Sequence, residues 1–183
     1  MKKLFLFFAI VMVLGINSVV AEEIKKGDKL QTLSNIHPDM GKNVWYTMNY
    51  QLPGLIPICE EIEVVKVKSK KMIFKWKGQE FTAVFDKHTR KKAGKSFQEA
   101  LAPFFGPKCD EEKLAALDEK DQGGVKKGTA AIGMTKEGVL LAMGRPPFHV
   151  NPDLEVDSWT YWRNRFARKV ISFDEDGKVV EIR

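Results

Sequence analysis

The chain has 183 residues, with 30 lysines and arginines against 24 acids, a net charge of +6. Lys2 and Lys3 belong to an N-terminal leader, and without them 28 basic residues face 24 acidic ones, or +4. That balance is too mild for a dedicated nucleic-acid binder, and the length suits one larger domain or two small ones.

The leader is read from its three parts. Lys2-Lys3 is a basic start, residues 4–14 are an apolar run, and Val19-Val20-Ala21 puts small or β-branched residues before Glu22. This is a secretory signal peptide over residues 1–21, too short to span a hydrocarbon core of ~30 Å. The mature chain is therefore expected in the periplasm or exported, with a peripheral position at the outer membrane open to it. No cysteine precedes Cys59, so a lipoprotein is not expected, and no later run is long enough to cross a membrane. Cys59 and Cys109 are an even pair in an oxidising compartment, which favours a disulfide; the alternative is two buried free thiols.

Residues 22–95 read as a β-meander. Val44-Trp45-Tyr46-Thr47-Met48 and Ile62-Glu63-Val64-Val65-Lys66-Val67 are rich in strand formers. Met72, Phe74 and Trp76 alternate with polar residues, and after a turn at Gly78-Gln79 the positions Phe81, Ala83 and Phe85 do the same. About five short strands suggest a small barrel. The stretch Asn49-Tyr50-Gln51-Leu52-Pro53-Gly54-Leu55-Ile56-Pro57 resembles the loop and strand entry of exported SH3-like domains.

Residues 87–95 hold Lys87, Arg90, Lys91, Lys92 and Lys95 without an apolar period, and read as a solvated linker. A helical connector over 96–127 follows. Ser96 and Glu99 form a capping box, with Pro103 limiting the helix to about two turns. Asp110 caps a second helix carrying Leu114 and Leu117, which Gly123-Gly124 weakens or ends.

In residues 128–183, Thr135 caps a helix with Val139, Leu140 and Met143 on one face, and Gly144-Arg145-Pro146-Pro147 stops it. An aromatic strand, Trp159-Thr160-Tyr161-Trp162, leads to a hairpin of 170–173 and 178–182 with Gly177 at a positive-φ turn position. This order resembles the SmpA/OmlA family, the BamE-like proteins of outer-membrane β-barrel assembly. The resemblance implies two helices on a three-stranded antiparallel sheet, and a non-enzymatic binding module. Gly138 departs from it, standing where an acid or amide often completes the capping box. The fold class expected for the whole is α+β: an SH3-like small barrel followed by this module.

Catalytic patterns are absent from the sequence. His37, His88 and His149 lie in three separate loops without metal-ligand spacing, and read as exposed. There is no G-x-S-x-G and no S-x-x-K, and the acidic clusters read as caps and turns. No enzyme, cofactor or metal site is expected. The contact surface is sought instead at Trp159, Tyr161, Trp162, Arg163 and Arg165, with Arg145 beside them at the helix stop. Alternation sends Trp159, Tyr161 and Arg163 one way and Thr160 and Trp162 the other, so one aromatic set packs under the helices. The expected partner is another envelope protein. The basic run 87–95 also suits peripheral contact with anionic lipid or peptidoglycan. The rival reading is a cell-wall-binding SH3-like module whose groove is lined by Trp45, Tyr46 and Tyr50.

Overall fold

The computed structural model describes residues 23–183; the leader expected at 1–21 lies outside them. The fold is α+β. Its first sheet contains β1 (Lys29–Thr32), β2 (Val44–Tyr46), β3 (Glu61–Lys68), β4 (Lys71–Trp76) and β5 (Gln79–Val84). After α1 (Phe97–Leu101), the short β6 (Phe105–Gly106) joins the same sheet. The strand order is β2-β5-β4-β3-β1-β6, curled into a half-barrel.

Only β3, β4 and β5 follow the expected meander. β1 returns beside β3, and β2 lies parallel to β5 at the far edge. Burial of Trp45 accounts for the second departure: it packs edge-on against Phe104 at 4.7 Å and Phe105 at 5.8 Å, beneath Ala100 and Leu101 of α1. Residues of α1 and β6 thus complete the first core. The β4–β5 turn falls on Lys77-Gly78, both at positive φ, because Trp76 already pairs with Gln79.

The second core lies between two helices and three antiparallel strands. After the short α2 (Glu111–Ala115) come α3 (Glu119–Lys127) and α4 (Lys136–Met143), then β7 (Ser158–Trp162), β8 (Arg168–Phe173) and β9 (Val179–Ile182). The second helix expected from the sequence is split, because Asp118 accepts from Asp121 N and starts a new helix. Gly123-Gly124 then lies inside α3 and does not end it.

The two helix glycines answer a packing demand. A Cβ on Gly124 would overlap Met134 Sδ, and one on Gly138 would overlap the Asp121 carboxylate. Gly138 therefore lets Asp121, buried in the crossing, accept from Thr135 N at 2.8 Å and Thr135 Oγ1 at 2.6 Å. Thr135 Oγ1 in turn accepts from Gly138 N at 2.8 Å. The missing box partner at the third helical position is replaced by a carboxylate from the neighbouring helix.

The modules are joined by polar side chains as well as by contact. The last carbonyls of a helix have no partner within it. Here Leu141 O accepts from Asn35 N at 2.9 Å, and Ala142 O from Asn35 Nδ2 at 3.0 Å. Met143 O accepts from Asn49 Nδ2 at 2.8 Å and Gln51 Nε2 at 3.0 Å, and Gly144 O from Tyr161 OH at 2.9 Å. Residues of the first module thus cap the C-terminus of α4. A Cys59–Cys109 disulfide, with Cα atoms 5.3 Å apart, ties the entry of β3 to the segment after β6. It suits an oxidising compartment. Among the described residues no helix is long and apolar enough to cross a membrane.

Candidate functional site

The β7–β8 hairpin projects a short basic loop. Its base is closed by Arg163 N donating to Ala167 O at 2.8 Å. Asn164 Oδ1 accepts from Phe166 N at 2.8 Å and Ala167 N at 3.0 Å, an Asx turn that fixes the loop with its own side chain. The result holds Phe166 outward, 83% exposed, with the Arg165 guanidinium 4.5 Å from its ring centre. Arg163, Arg165 and Arg168 are exposed around it, and the loop holds no acid. Exposed aromatic and arginine side chains are the types in which protein interfaces concentrate their binding energy.

The other sequence-selected residues are placed differently. Trp159 is 1% exposed and Tyr161 0%; both are core residues, Trp159 edge-on to Phe173 at 4.6 Å. They are the aromatic set under the helices, and neither reaches a partner directly. Trp162 is half-buried, and its carbonyl accepts from Gln51 N at 2.8 Å. Asn151 covers the same strand edge, pairing with Thr160 N at 2.9 Å and Thr160 O at 2.9 Å. β7 is thus unavailable for adding a strand from outside.

Arg145 rivets the helix stop. Its guanidinium donates to Pro146 O at 2.8 Å and Asn151 O at 3.0 Å, and lies 3.6 Å over the Phe148 ring. Burial there pushes it down to about 10. Of the six residues, Arg163 and Arg165 are at the exposed tip, and Phe166 is the residue that sequence reasoning missed. Its signal was a lone aromatic inside Arg-Asn-Arg-Phe-Ala-Arg, two residues after an Asn able to turn the chain.

The groove of the rival reading is not assembled. Trp45 is fully buried and lines nothing, while Tyr46 and Tyr50 pack edge-on at 5.8 Å and are half-buried. The basic run is also more ordered than a linker. A π-helical turn over His88–Lys92 hangs on Asp86, whose carboxylate accepts from His88 N, Thr89 N, Thr89 Oγ1 and Thr47 Oγ1 at 2.6 to 3.1 Å. Thr89 is buried by this anchor, and Lys87, Lys91 and Lys92 remain exposed.

The histidines are not exposed as their loops suggested. His37 is buried, and burial pushes it below its ordinary value against the carbonyls it meets. His88 and His149 lie with ring centres 5.2 Å apart; burial, then His88, depresses His149. Among the described residues no group of three or more histidine, cysteine or acidic side chains could hold a metal. No family model, curated protein or solved structure matches the chain.

Proposed function

We propose that this is an exported, non-enzymatic cell-envelope protein that works by binding another envelope protein through the tip of its β7–β8 hairpin. The reading takes the first module as SH3-like and the second as SmpA/OmlA-like, which points to outer-membrane assembly or maintenance. What supports it is the helix pair on a three-stranded antiparallel sheet, and above all the exposure of Phe166 between Arg165 and Arg168. The loop is held by Asn164 before any partner arrives, so little ordering entropy is lost on contact. Phe166 is the anchor; Arg163 and Arg165 select an acidic or polar rim on the partner.

The test is affinity capture from envelope extract with the oxidised protein, comparing wild type with Phe166→Ser and Arg165→Ser. Loss of one specific captured protein in both variants, with unchanged thermal unfolding, is the expected result. A capture profile identical in all three proteins contradicts the assignment. Burial of Trp45 weighs against the cell-wall alternative, and sedimentation with purified peptidoglycan is expected to show no enrichment.

A further inference from the structure

The hairpin carries a second feature nearer its base. Lys169 stands opposite Tyr161 in the β7–β8 ladder, as Ile171 stands opposite Trp159. Directly opposed residues share a face. Trp159, Tyr161 and Ile171 are all buried, so Lys169 occupies the core face of β8, where the alternation calls for an apolar side chain. Arg163 continues the row of Trp159 and Tyr161. Inward-pointing charges can blunt a sheet edge, but β8 is paired on both sides, so that role does not apply.

Neither Lys169 nor Arg163 forms an ion pair among the described residues. Burial, then Arg163, pushes the Lys169 ammonium below its ordinary value, and Lys169 adds to the depression of His37. Gathering unpaired cations in a partly desolvated place costs stability with no return inside the fold.

These groups converge on one cleft of about 450 Å³ between the modules. His37 and Leu52 line it from the first module, Met143 from α4, Lys169 from β8, Arg163 from the β7–β8 loop and Arg183 from just after β9. Ligand clefts run roughly 300–1,000 Å³. Among the described residues no side-chain carboxylate lines this one, and of its lysine and arginine side chains, Arg168 included, only Arg183 is ion-paired, with Glu181 at 3.2 Å.

We infer that the cleft binds a phosphate-bearing anion, held by Lys169 and Arg163, with Leu52 and Met143 against its organic part. A guanidinium fork beside a point-charge ammonium matches a phosphate group in both charge and shape, whether a monoester dianion or a diester monoanion. The phosphate can come from a soluble ester or from a lipid head group; the site shares Arg163 with the hairpin tip but uses neither Phe166 nor Arg165, so Phe166→Ser is expected to leave it intact.

Calorimetric titration with inorganic pyrophosphate tests the soluble source, and co-sedimentation with phosphatidylglycerol-containing against pure phosphatidylcholine vesicles tests the lipid source. Binding to at least one probe is expected, weakened about tenfold or more by Lys169→Met or Arg163→Gln and unchanged by Lys66→Gln on exposed β3. Pyrophosphate binding without Lys169-dependent vesicle binding assigns a soluble ligand; the converse assigns a head group. Binding of neither probe, or equal binding by wild type and both cleft variants, overturns the inference. Lys169→Met is expected to keep or raise the thermal midpoint, since it removes an unpaired charge. Should it fail to fold, the premise of a structurally idle lysine is wrong, and Arg163→Gln, exposed at the surface, still decides the binding.

Discussion

Asn35 is the most extensively hydrogen-bonded of the side chains through which the two modules hold each other, with two carbonyls and one backbone N–H as partners. It is 1% exposed, donates to Val125 O at 2.7 Å and Ala142 O at 3.0 Å, and accepts from Ile58 N at 2.8 Å. Asn35→Ala strands these three groups to different degrees. Val125 O keeps only the Gly128 N–H at 3.1 Å, Ala142 O keeps a long contact to His37 Nε2 at 3.4 Å, and Ile58 is half-buried and open to water. Three lost hydrogen bonds at about 1 kcal/mol each give an expected loss of about 3 kcal/mol, a large share of a typical ~5–15 kcal/mol. Urea denaturation followed by tryptophan fluorescence measures it, because Trp45 and Trp76 report the first module and Trp159 and Trp162 the second. Wild type is expected to unfold in one transition, and Asn35→Ala to lower its midpoint at both sets of tryptophans. Asn35→Asp adds a sign test. A carboxylate facing two carbonyls has a folded pKa raised above its unfolded value of ~3.9. Stability of that variant is present below the unfolded pKa and lost as pH rises through the folded one. A loss under about 1 kcal/mol for Asn35→Ala, or an Asn35→Asp variant as stable at pH 7 as at pH 4, refutes the clamp.

Replacing both Cys59 and Cys109 by serine opens a loop with a sequence separation of 50, and should cost about 4 kcal/mol in the same urea assay. Gly138→Ala improves helix propensity, yet is expected to destabilise by about 2 kcal/mol because the new Cβ meets the buried Asp121 carboxylate. A stabilised Gly138→Ala protein refutes that crossing. The Ser96 backbone N–H and hydroxyl, with Lys95, hold the Glu99 carboxyl down at about 2. Its contribution is present above the unfolded value and lost as pH falls through the folded one, so Glu99→Gln should flatten the acid limb of the stability curve between about pH 4.5 and 2.

Local chemistry was readable from the chain; distant partners were not. The Ser96–Glu99 box, the Thr135 cap, the Gly144 stop and the Gly177 turn each need only neighbours a few residues away, and each occurs where its residues stand. Alternation likewise separated Trp159 and Tyr161 from Thr160 and Trp162, but which set faces the core is decided by the helices that pack on the sheet. The glycine pair 123–124 misled because propensity makes it a stop, whereas tertiary contact makes Gly124 a seat for Met134. Asn35, Asn49 and Gln51 carry no local pattern: each satisfies carbonyls about 90 residues away or more. The same holds for Asp86, whose four-bond anchor turns a basic run into an ordered π-helical turn. Lys169 was invisible because its meaning depends on the register that sets it opposite Tyr161.

The most direct measurement of the functional account is photo-crosslinking in intact cells, with a benzophenone amino acid at position 166 and, as a control, at Val180, which is 52% exposed on β9. A discrete protein adduct from position 166, absent from position 180 and lost when Arg165→Ser is added, is the predicted result. No adduct at 166, or the same adducts from both positions, contradicts a hairpin tip built to grip a protein.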